Sequence, residues 1–135
     1  MNSNFKLYKV KDFIRKNETG AIDLEKSKQI VRELATAALF HQDHNILIDM
    51  RDTSLIHDQT IGDLLELALE MASYKSVFTG KIANVLPDDT KRLARAQQLK
   101  AALEIQGFSY EVFTTFENAI NWLSETRDIS RASPN

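Results

Sequence analysis

Four groups of side chains in this 135-residue chain have types and spacings that could do chemistry. Asp49 closes the apolar run Ile46-Leu47-Ile48. A carboxylate at the end of a central strand sits where open α/β sheets form ligand crevices. The common role of such an aspartate is to anchor the following loop by hydrogen bonds, and that is the reading here. His41 and His44 stand at i and i+3, a spacing that can hold a metal. They fall at the end of a helical pattern, where the helix dipole favours histidine, so a structural role is expected. His57 is a lone loop histidine and reads as solvated. Lys91, Arg92 and Arg95 form a small basic patch, read as a solvated helix face. The absence of cysteine excludes thiol catalysis, disulfides and thiolate metal sites. No Ser-His-Asp set, paired-carboxylate signature or glycine-rich phosphate loop stands out. The chain therefore reads as a non-catalytic protein, with no metal and no cofactor expected.

Composition places these residues in one soluble domain. The length suits a single core, and 43% hydrophobic with 27% charged residues is ordinary for a globular protein. A formal net charge of -2 gives no general reason to bind nucleic acid or an anionic membrane. No window approaches the ~20 apolar residues of a membrane span. The N-terminus, Met1 to Lys6, lacks a continuous apolar signal region, so a cytoplasmic location is expected.

The elements that position the polar groups follow from periodicity. Phe5 to Val10 alternates and predicts an antiparallel edge strand. Phe13-Ile14 begins a weaker second strand, and Gly20 punctuates the chain. Asp23 is a natural N-cap for a helix with the stripe Leu24, Val31, Leu34, Ala35 and Ala38, ending between Phe40 and His44. Ile46 to Ile48 is a short buried strand, and Arg51 to Asp58 reads as loop. Thr60 opens a second helix with the stripe Ile61, Leu64, Leu65, Ala68 and Ala72, predicted to face the core. Ile82 to Leu86 is a second buried strand stopped by Pro87. Asp88 or Asp89 caps a third helix carrying Leu93, Ala96, Leu99, Lys100 and Leu103, with Gly107 just beyond its end. Tyr110 to Phe113 is the last strand, with Phe108 and Tyr110 assigned to the core. Thr114 and Glu117 have the spacing of a capping box for a final helix that buries Phe116, Ile120 and Leu123 beside Trp122. The expected fold class is α/β: a mostly parallel four- to five-stranded sheet with about four helices. Residues 1–127 form the single domain and 128–135 a polar, disordered tail.

Several of these segments, taken together, resemble the STAS-type domain in its SpoIIAA-like branch, the fold of bacterial anti-sigma-factor antagonists. Gly20-Ala21-Ile22-Asp23-Leu24 is similar to the family's strand-to-helix motif. Ile46-Leu47-Ile48-Asp49, Ser54-Leu55-Ile56 and Ile61-Gly62 resemble its second motif. Phe113 with Ala119 to Leu123 resembles the ending of the branch labelled STAS/SEC14. Aligned without a gap, the family's Asp-Ser-Ser-Gly falls on His57-Asp58-Gln59-Thr60, so the phospho-acceptor position holds Gln59, which has no hydroxyl. A one-residue slip would place Thr60 there instead.

The resemblance implies a regulatory, protein-binding module. Its partner-binding loop would comprise Asp52, Ser54, His57, Asp58, Gln59 and Thr60. Asp58 would supply a fixed negative charge where the family's switch places a phosphate. Its competing role is to cap the second helix. The alternative function is a carrier of a small apolar or anionic, lipid-like ligand. An apolar pocket of about 300 Å³ or more would mark the carrier, and an exposed apolar patch beside the second helix the module.

Overall fold

The computed structural model describes residues 12–41 and 43–125. The predicted edge strand over Phe5 to Val10 and the predicted tail lie outside these residues. Among the described residues, four parallel strands pair in the order β1-β2-β3-β4 and alternate with four helices. The elements are β1 (Phe13–Ile22), α1 (Leu24–Phe40), β2 (Asn45–Leu55), α2 (Ile61–Ala72), β3 (Lys81–Val85), α3 (Thr90–Ile105), β4 (Ser109–Phe113) and α4 (Phe116–Ser124).

Sequential order has a direct consequence. Crossovers of one hand between neighbouring parallel strands put every connecting helix on the same face. Helices α1, α2 and α3 share a core with the even-numbered residues of the central strands, including Ile46, Ile48 and Ile82. Helix α4 follows the last strand, makes no crossover, and covers Leu47, Ala83 and Val85 on the other face. Alternate residues of β2 and β3 are thus buried on opposite sides, which is why these strands read as continuous apolar runs.

Local signals set most boundaries. Asp23 caps α1 by accepting from the Lys26 amide at 2.8 Å. Asp89, rather than Asp88, caps α3 by accepting from Lys91. Gly107 follows α3 with φ of +92°, a left-handed conformation that suits glycine. The cap of α4 lies one residue later than the predicted box: Thr115, not Thr114, accepts from the Asn118 amide at 3.2 Å.

Three expectations are corrected. Strand β1 runs through the polar stretch Arg15 to Thr19, and Gly20 lies inside it at φ +89° instead of ending it. A register shift between Asn17 and Thr19 accompanies this, the mark of a bulge. Strand β2 continues through Leu55, so most of the predicted loop from Arg51 is strand. Its β3 partners stop at Asp49↔Val85, while β1 partners continue to Ile22↔Leu55. The last six residues of β2 therefore have a strand on one side only, which admits a polar sequence. Finally, α2 buries Leu64, Leu67, Ala68 and Met71, while Ile61 and Leu65 face solvent.

Candidate functional site

Beyond Val85, where β3 ends, the Arg92 side chain of α3 reaches across to β2. Arg92 there is only 7% exposed. Its Nη1 donates to the Thr53 carbonyl at 3.1 Å, and its Nη2 to Thr53 Oγ1 at 2.7 Å. Thr53 in turn donates its hydroxyl to the Met50 carbonyl. The guanidinium thus satisfies strand oxygen atoms that β3 no longer reaches. It makes no ion pair among the described residues, and burial pushes its pKa down from the usual arginine range.

Above this pair lies a crevice of about 340 Å³. It lies at the C-terminal ends of β2 and β3, the end of a parallel sheet where ligand sites gather. Thr53, Ser54, His57, Asp58, Lys91 and Arg92 are among its lining residues. Its mixed polar lining differs from the apolar pocket expected of a lipid carrier.

Three of the six predicted loop residues, Ser54, His57 and Asp58, meet in this crevice. The others separate. Asp52 is exposed on β2 opposite Thr19, and Gln59 lines a smaller cavity under α2. Thr60 is the N-cap of α2. Its Oγ1 accepts from the Asp63 amide at 3.0 Å, and the Asp63 carboxylate accepts from the Thr60 amide at 3.3 Å, a complete capping box.

The capping role considered for Asp58 is therefore taken by Thr60. Asp58 instead reaches α3, pairing with Arg95 at 3.2 Å and Lys91 at 3.6 Å. The hydrogen bond from Arg95, with the nearby positive charges, holds its carboxyl below the usual range. The basic patch is accordingly not one solvated face. Lys91 is exposed, Arg95 holds Asp58, and Arg92 is buried.

Asp49 does act as an anchor, though inside β2 instead of at its end. It accepts from Arg51 Nη2 at 2.7 Å and Nε at 2.9 Å, and from Arg15 Nη2 at 3.3 Å. Hydrogen bonds from Arg51 lead the effects that lower its pKa. Arg15 also lies 4.6 Å over the Phe116 ring, tying β1 to α4. His41 caps the C-terminus of α1, its ring 5.4 Å from that of His44. Among the described residues, no three His, Cys, Asp or Glu side chains are grouped to hold a metal.

The second feature of this end of the molecule is apolar. Ile61, Leu65 and Leu69 of α2 are 56%, 53% and 65% exposed, and Ile56 in the preceding loop is exposed as well. The three helix residues recur every four positions and so form one ridge, about 12 Å long from the 1.5 Å rise per residue. Charges on the adjacent side of α2 are internally matched: Glu66 pairs with Lys28, and Glu70 with Arg32. No described helix is long and apolar enough to cross a membrane. Comparison of the chain with protein families, with curated proteins and with solved structures finds no match in any of the three.

Proposed function

We propose that the protein is a non-catalytic regulatory module that docks another protein on the outer face of α2 and the loop before it. The exposed ridge Ile61-Leu65-Leu69, beside Ile56, carries this reading. The helix is held by a complete capping box and by its inner residues, so the ridge is a fixed feature of a folded helix. Apolar ridges at i+4 spacing interdigitate with grooves on a second helix, so the partner's contact surface is taken to be an apolar helix face. The flanking carboxylates already have their cations within the chain, so recognition rests on the apolar contact. The resemblance of this loop and helix to those of anti-sigma-factor antagonists supports the same reading. The Gln59 position argues for binding without a phosphorylation switch.

A photo-crosslinking residue at position 65 tests this in the protein's own host, with position 97, on the exposed side of α3, as control. A protein adduct is expected from 65 and not from 97, and Leu69→Lys should remove it. Equal adducts from both positions, or none from 65, overturn the reading. An adduct with a second copy of the chain alone would replace the partner by self-association.

A further inference from the structure

The interior between the sheet and α1, α2 and α3 holds two cavities of about 70 Å³ each. Both are lined by Ser27, Met50, Leu67, Asn84, Leu99 and Tyr110. The rest of the first cavity is apolar, whereas Gln59 and Arg92 add polar groups to the second. Asn84 is the feature that needs a reason. It interrupts the apolar strand β3, is 9% exposed, and faces the helices together with Ile82. Its Nδ2 donates to Tyr110 Oη at 2.8 Å. Its Oδ1 finds no donor among the described residues.

An unanswered buried amide oxygen is costly, so it marks a place where something else donates. Tyr110 Oη accepts from Asn84 and still has its own proton to give. Burial pushes the Tyr110 pKa up to about 12, so that proton is retained at physiological pH. The wall therefore offers one acceptor and one donor side by side. Turning the amide over exchanges the roles of its two atoms without changing this complement.

We propose that the paired cavities bind a small, uncharged, mostly apolar molecule bearing one hydroxyl, which donates to Asn84 Oδ1 and accepts from Tyr110 Oη. A hydroxyl both donates and accepts, so it answers the wall in either amide orientation. Arg92 lines only the second cavity and already donates to Thr53, and the first cavity offers an anion no cation, so the ligand is uncharged. Apolar cavities of about 150 Å³ in proteins take a benzene ring. Neither space of about 70 Å³ reaches this alone, so phenol is the probe for a ligand that occupies both across the shared wall. The site is independent of the docking face. Leu67 lies on the inner side of α2 and Leu65 on the outer, so Leu65→Lys should leave phenol binding unchanged.

Methyl NMR of the full chain, titrated with phenol and with toluene, tests the proposal. The two probes are close in size and differ in the hydroxyl. Phenol should shift the Ile82 and Leu99 methyls saturably, about tenfold more tightly than toluene, as one hydrogen bond allows. Asn84→Leu keeps the branched shape and removes the orphan acceptor; its methyls are bulkier, so toluene is titrated into the same variant, where the preference for phenol over toluene should vanish. Tyr110→Phe should weaken phenol in the same direction. Equal affinity for both probes in the wild type overturns the proposal. Unmoved Ile82 and Leu99 methyls with either probe overturn it too, leaving room for water only.

Discussion

Helix α2 carries the same residue types on two faces and gives them opposite roles. Leu64 and Leu67 are buried in the core between the helices and the sheet, while Leu65 and Leu69 lie in solvent. Residue type alone does not decide burial. The capping box at Thr60 starts the helix, and packing against α1 and α3 over the sheet decides which face is buried. Like pairs recur at this end of the molecule: Arg92 is buried and Arg95 holds a surface aspartate, and Asp49 is buried and Asp58 is not. Each pair sets a buried residue against one engaged at the surface.

The sharpest break in the comparison is between adjacent leucines. Leu64→Ala should destabilise by roughly 2–5 kcal/mol, because it opens a cavity in the core. Leu65→Ala should cost under about 0.5 kcal/mol, as an exposed substitution does. Denaturant midpoints of the two variants measure this directly. Comparable losses would mean that the ridge is core and that no docking face exists.

The arginines come next. Arg92→Ala should cost about 1–3 kcal/mol, since it leaves the Thr53 carbonyl without its donor at a site that β3 does not reach. Arg95→Ala should fall within about 0.5 kcal/mol of wild type. Urea melts compare the two, and a neutral Arg92→Ala would show that water replaces the guanidinium easily.

The aspartates add a pH dependence. Folding favours the charged form of Asp49, whose pKa is lowered mainly by hydrogen bonds from Arg51. Its contribution is complete above the unfolded value, near pH 4, and is lost as pH falls through the lower folded value. Asp49→Asn should therefore cost about 1–2 kcal/mol at pH 7, the worth of a charged hydrogen bond to partly exposed arginines. The difference should shrink toward zero in acid. A difference independent of pH from 7 down to about 2 would assign the loss to packing instead of charge.

The sequence carried the fold well where one force dominated. The apolar runs at Ile46 and Ile82, the stripe of α1 and the cap at Asp23 all lie where periodicity puts them. It was opaque where a tertiary partner replaced a local signal. Arg51 to Ser54 has the composition of a loop, yet it is strand because β1 pairs with it and Arg92 serves Thr53 on α3's side. No spacing rule links Thr53 to Arg92, 39 residues apart. The α2 stripe mixed both faces because Leu64, Leu65, Leu67 and Leu69 span more than half of the helix circumference. Its inner face became legible only against the sheet. For the crevice, Ser54, His57 and Asp58 were readable from the sequence, whereas Arg92 was hidden among basic neighbours. Asn84 did leave a signal, as the single amide inside an apolar strand.

The smallest effects separate the two residues that compete for the start of α2. Thr60→Ala removes the side chain that accepts from Asp63 and should cost about 1 kcal/mol, the usual worth of an N-cap. Asp58→Ser removes a carboxylate that caps nothing and bridges to an exposed lysine and a partly exposed arginine, so the melting midpoint should move little. The two variants should then exchange rank in partner binding. Thr60→Ala leaves the charge of the loop unchanged, so crosslinking from position 65 should persist at temperatures where the variant is folded. Asp58→Ser frees Lys91 and Arg95 at the rim of the crevice. If the fixed negative charge helps to hold the partner, crosslinking falls at unchanged stability. An unchanged adduct yield with Asp58→Ser would limit the docking surface to the apolar ridge and leave Asp58 as a tether between the α2 loop and α3.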